Sequence, residues 1–93
     1  MPEKCVLKVY VTGLTPKIER PIMNLKKVFE ERFGGQYILE VINILEHPEA
    51  ADEQRILATP TLVKSLPEPV RRVIGDISDI EKVMVVLDLE SCD

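Results

Sequence analysis

Ninety-three residues with twelve basic and sixteen acidic side chains give a net charge of −4. That argues against nucleic acid as the main partner, because phosphate recognition needs a dominant basic surface. With no Trp, two Phe and two Tyr, the core must be aliphatic, and the length suits a single domain, 1–93, with a modest core.

No apolar run approaches the roughly 20 residues that cross a bilayer. The start, Met1-Pro2-Glu3-Lys4, lacks the n-region, long h-region and cleavage site of a signal peptide, so a cytoplasmic protein without membrane contact is expected. The two cysteines, Cys5 and Cys92, lie near opposite ends without C-x-x-C spacing, and neither a disulfide framework nor a four-ligand zinc site is expected from them. Cys5 reads as a small apolar filler and Cys92 as an end residue. No metal or cofactor is expected.

In chain order, residues 5–11 (CVLKVYV) are rich in β-branched and aromatic side chains and predict a strand covered on both faces. Thr12-Gly13-Leu14-Thr15-Pro16 is a turn, with Thr15 placed to cap a helix and Pro16 at its first position, where a missing N–H costs nothing. Ile18, Ile22, Leu25, Val28 and Phe29 then form a helical stripe, and Gly34-Gly35 supplies a left-handed stop. Pro21 is discordant, since it removes a bond to Lys17 and implies either a distorted first turn or a later helix start.

Residues 36–45 predict a second strand interrupted by Glu40 and Asn43; strand, helix and strand make a right-handed unit with parallel strands. His47-Pro48 opens a short helical turn through Arg55, with acids at its start. His47, the one histidine, has no His or Cys near it in sequence and reads as a turn residue.

Residues 61–66 and 70–74 flank Pro67-Glu68-Pro69 and read as a hairpin closed by Gly75-Asp76. The X-Pro bonds here carry only about 0.5–1 kcal/mol of trans preference, so the region can hold more than one backbone arrangement. Ser78 with Glu81 resembles a capping box for a helix through Ile80, Val83, Met84 and Leu87. Residues 83–87 (VMVVL) are equally a respectable strand, so pattern and propensity conflict there.

The order β-α-β, polar connection, hairpin and final helix is the thioredoxin-like layout, in which a Thr-Pro dipeptide before the third strand commonly carries a cis-proline; Ala58-Thr59-Pro60-Thr61 matches it. The redox centre would sit in the Thr12–Pro16 turn, which has no cysteine, so thiolate chemistry has no candidate there. No phosphate-cradling loop, metal spacing or nucleophile elbow is present. A redox or glutathione-linked thioredoxin-like protein stays open as the alternative, and needs Cys5 or Cys92 to reach Pro60. The pair Arg71-Arg72 reads as solvated or salt-bridged rather than as a phosphate site.

The segments Leu7-Lys8-Val9-Tyr10-Val11-Thr12-Gly13, Ile56-Leu57-Ala58-Thr59-Pro60-Thr61-Leu62 and Pro69-Val70-Arg71-Arg72-Val73-Ile74-Gly75-Asp76 resemble the KaiB family, with the likeness running from about Val6 to Leu89. The resemblance implies a non-enzymatic regulator, linked to circadian rhythm, with a metamorphic C-terminal half that takes either the KaiB ground-state fold or a thioredoxin-like fold. It implies self-association as a tetramer or dimer, and binding of a KaiC-like ATPase by the thioredoxin-like monomer. It assigns the fold switch to Pro60, Pro67, Glu68, Pro69, Gly75, Asp76, Val86 and Asp88. Partner contacts are expected at Lys8, Tyr10, Arg20, Ile38, Glu40, Arg71 and Arg72. Three departures stand out. Glu68 interrupts what is usually a run of three prolines, and Val86 replaces a usual Gly. Glu40 stands where a basic residue faces KaiA, which weakens the case for KaiA as a partner and suggests a homologue outside the core clock.

Overall fold

Two parallel strands need a crossover long enough to hold a helix, and the first half of the chain supplies one. A computed structural model describes residues 5–56, 58–66, 69–75, 77–87 and 89. In it β1 (Cys5–Val11) pairs in parallel with β2 (Tyr37–Asn43), from Cys5 opposite Tyr37 to Val11 opposite Asn43, and α1 (Pro16–Phe33) makes the crossover. α1 buries Ile22, Leu25, Phe29 and Phe33. The Phe29 ring lies 5.8 Å from Phe33 and 5.7 Å, edge-on, from Tyr37, so an aromatic cluster joins the aliphatic core.

The Pro21 conflict resolves at the helix start. α1 begins at Pro16 and runs through Pro21, with Thr15 extended at the cap position but making no side-chain cap bond. The Thr15 carbonyl instead accepts from both Ile18 N (2.9 Å) and Glu19 N (2.8 Å), a first turn of mixed tightness. β2 is shorter than its apolar run because Asn43 ends it: its side-chain oxygen accepts from Gly13 N and Leu45 N, each at 3.0 Å. Gly13 sits at φ +80, a region that favours glycine.

α2 (Pro48–Gln54) is the expected short helix, and β3 (Thr61–Leu66) and β4 (Arg71–Ile74) form the expected antiparallel hairpin. β3 also pairs antiparallel with β1, giving the sheet order β2-β1-β3-β4. The segment that read as helix or strand is α3 (Ile80–Val86). Burial decides it: Val83, Met84 and Leu87 all fall on the core, which outweighs the β-propensity of the valines. Its cap is Asp79, whose carboxylate accepts from Lys82 N at 3.1 Å, not Ser78 as the capping-box pattern suggested. The helix starts one residue later than that pattern placed it.

Cys5 is fully buried, as a filler would be, but it is disulfide-bonded, contrary to the reading of the cysteines from spacing alone. Cys92 lies outside the described residues.

Candidate partner-binding face and switch region

Strand alternation sorts the sheet into two faces. One carries Leu7, Val9, Val11, Leu62 and Val73, packed with α1 and α3 in the main core. The register sets the other face in three rows. Ile42, Tyr10, Thr61 and Ile74 make one, Glu40, Lys8, Val63 and Arg72 the next, and Ile38, Val6 and Leu66 the third. A bulge in the β1–β3 pairing between Val6 and Leu7 brings Leu66 opposite Val6.

Cover on this second face is uneven. Tyr10, Thr61 and Val63 are buried, whereas Ile38 and Leu66 are 42% and 43% exposed. α2 lies toward the covered side, where Arg72 Nη2 donates to the Gln54 carbonyl at 3.0 Å. The Tyr10 hydroxyl is held above its ordinary pKa of 10.0 mainly by burial; Arg72 opposes the shift, and Glu40 and Glu53 add to it.

The expected contact residues therefore separate. Lys8, Tyr10, Ile38, Glu40 and Arg72 share the second face, with Lys8 directly between Glu40 and Val63. Arg71 pairs with Lys64 on the opposite parity of β4 and is exposed. Arg20 is exposed on α1, which packs against the other side of the sheet, so it does not join the group. Of the expected switch residues, Pro60, Pro69, Gly75 and Val86 are described; Pro67, Glu68, Asp76 and Asp88 lie outside the described residues. Val86 ends α3 at 40% exposure, and Gly75 has φ +95 with its N–H on the Pro60 carbonyl at 2.9 Å.

The Thr59–Pro60 peptide is cis, as the thioredoxin-like layout implied. A shallow groove of about 350 Å³ lies beside it, lined by Lys17, Ile18, Pro21, Gly75 and Ile77 among others. Across from Pro60 the Thr12 and Thr59 hydroxyls share a hydrogen bond of 2.7 Å. Cys5 lies at the far end of β1 from this turn, about 20 Å away along six extended residues. Among the described residues, no group of three or more His, Cys, Asp and Glu side chains is arranged to hold a metal. His47 and Glu49 meet at 3.5 Å with both side chains largely in water.

Two residues escaped the sequence reading. Lys64 is fully buried on the helix-covered face; its parity with Leu62 was the available signal, since buried side-chain nitrogens and oxygens among the described residues all have partners. Asn43 looked like an interruption in a strand, yet it ties the turn after β1 to the turn after β2.

The KaiB domain profile matches residues 8–89, nearly the whole chain. The chain belongs to the KaiB family. Among its curated relatives are the circadian clock oscillator protein KaiB of Microcystis aeruginosa and KaiB1 of Synechocystis. The first is 56% identical over 90% of this chain and 81% of its own length; the second is 55% identical over 90% and 80%. Solved structures with the same fold include the N-terminal domain of SasA from Synechococcus elongatus. It shows a TM-score of 0.71 and 21% identity over 96% of this chain and 84% of that one. Mitochondrial thioredoxin 3 from Saccharomyces cerevisiae shows a TM-score of 0.69 and 18% identity over 94% and 80%. At those identities the likeness concerns the fold alone. This KaiB-family chain thus adopts a mixed α/β, thioredoxin-like fold with a four-stranded sheet.

Proposed function

We propose that this KaiB-family chain is a non-enzymatic regulatory binding protein of a circadian clock or a clock-derived signalling pathway, and that it docks on a KaiC-like ATPase in the cytoplasm. The observation that carries the reading is the family match across residues 8–89 at about 55% identity to clock oscillator proteins. In this reading 1–93 acts as a single domain. It self-associates as a tetramer or dimer in a second fold, with Pro60, Pro67, Pro69, Gly75 and Val86 in the segment that rearranges.

Contacts are assigned to the open part of the second sheet face, at Lys8, Ile38 and Glu40, and to exposed Arg71 and Arg20. Glu40 carries a negative charge onto that face beside Lys8, which speaks against a partner selected for a basic strand there and so against KaiA. A redox role is not favoured, because Cys5 sits at the wrong end of β1 for the Pro60 groove.

The test is co-elution of the purified chain with the host's KaiC-like ATPase, loaded in turn with each nucleotide. A complex in at least one nucleotide state is expected, weakened by Lys8→Glu and Arg71→Glu. Absence of a complex in every state refutes the assignment.

A further inference from the structure

α2 raises the question of what keeps it docked. None of its seven residues is buried, and no basic residue stands in its last turn. Its C-terminus closes with Arg55 in the left-handed region at φ 53, Ile56 N donating to the Ala51 carbonyl at 2.9 Å and Arg55 N to the Asp52 carbonyl at 3.3 Å. That is the Schellman pattern, built on an arginine where glycine is usual. The Gln54 carbonyl is left over by that pattern, and Arg72 Nη2 reaches it from β4 at 3.0 Å.

We infer that Arg72 is a positioning residue that clasps the C-terminal end of α2 to β4, so that α2 stays docked only while the β3–β4 hairpin keeps its register. Three observations combine. The pairing of Val63 with Arg72 and of Thr61 with Ile74 sets the Arg72 side chain on the second face. A guanidinium opposite the negative end of a helix is favourable in charge as well as in hydrogen bonding. Lacking a buried side chain of its own, α2 has little else to hold its last turn. A shift of β4 by one residue would turn Arg72 to the other face and put Arg71 in its place, while loss of β4 pairing would remove the donor. The clasp couples an element of the chain's middle to its C-terminal hairpin. It does not depend on which partner the chain binds.

Amide exchange followed by NMR on the whole chain tests this at Arg55 and Ile56. Arg72→Gln should speed exchange there about 10-fold, the scale of a hydrogen bond to a charged group. β1 amides should hold wild-type rates, and Arg71→Gln should match wild type throughout. Arg72→Lys keeps a charge and one donor and should fall between. Should Arg72→Gln not fold, Arg72→Lys alone is read against Arg71→Gln. Wild-type exchange at Arg55 and Ile56 in the Arg72 variants overturns the clasp. So does an equal acceleration in Arg71→Gln, or one that spreads to β1.

Discussion

The β1-α1-β2 half and the β3-β4-α3 half share one sheet but are held by different means. The first has seven-residue strands paired along their whole length and an eighteen-residue helix that buries two phenylalanines. The second has a four-residue edge strand, a seven-residue helix, and Val70, Ile74, Val85 and Val86 open to solvent. It gives Leu62, Val73, Ile77, Val83, Met84, Leu87 and Leu89 to the shared core, but from shorter elements than those of the first half. Stability need not be uniform across a small sheet, and segments with few buried contacts open at lower free energy than the core they adjoin.

The largest expected effect separates the halves directly. Phe29→Ala removes a fully buried ring from the first half and should cost about 3–5 kcal/mol, seen as a lower urea midpoint with every amide losing protection together. Leu87→Ala also empties a fully buried site and should cost about 2–5 kcal/mol. Its signature should differ, with α3 and β4 amides exchanging faster while β1 stays protected. Uniform loss of protection in both variants would mean that the halves are one cooperative unit and the contrast has no energetic content.

Asp79→Ala probes the same boundary with less force. Loss of the cap on Lys82 N should cost about 1 kcal/mol, again confined to α3 by amide exchange. Ser78→Ala, at the position the capping-box pattern favoured, should leave the α3 cap in place.

This difference between the halves is also why the sequence reads unevenly. The first half announces itself because a long helical stripe and two apolar runs leave a single arrangement. Even Pro21, which argues against the helix locally, is overridden by burial of Ile22 and Leu25 just after it. In the second half the apolar residues at 83–87 satisfy helix and strand alike, and what selects the helix is which of them meet the core. Asp79 was obscured by Ser78 one position earlier, and Lys64 by the expectation that charge stays outside. The second sheet face is legible only through register. Lys8, Glu40 and Arg72 are far apart in sequence, and three strand pairings, one parallel and two antiparallel, put them in one row.

Alkaline titration of the two tyrosines bears on the first half, because Tyr10 and Tyr37 both belong to it. Burial raises each pKa above 10.0, and for Tyr37 the hydrogen bond to Glu30, at 2.8 Å, and the charge of that carboxylate raise it further. The folded chain therefore keeps protons that the unfolded chain has lost, so this contribution to stability is complete below pH 10 and falls as pH rises through the folded-state values. Tyr37→Phe should flatten the decline measured by urea unfolding at successive pH values. A decline unchanged in both Tyr10→Phe and Tyr37→Phe would place its source elsewhere.

The smallest expected effect bears on the second half. Val85 is 78% exposed, so replacing it by Ala forfeits little burial while removing a β-branched residue that favours strand over helix. Val85→Ala should stabilise α3 by a few tenths of a kcal/mol, up to about 0.5, visible as slower exchange at the Leu87 amide, which bonds to the Val83 carbonyl at 3.0 Å. Val86→Ala should act in the same direction but more weakly, because at 40% exposure Val86 gives up some buried surface in return. On the proposed fold switch, Val85→Ala should also increase the share of chains in the thioredoxin-like arrangement. An exchange rate at Leu87 unchanged or faster in Val85→Ala would show that packing of Val83 and Leu87 alone sets the helix and that the exposed valines have no say in it.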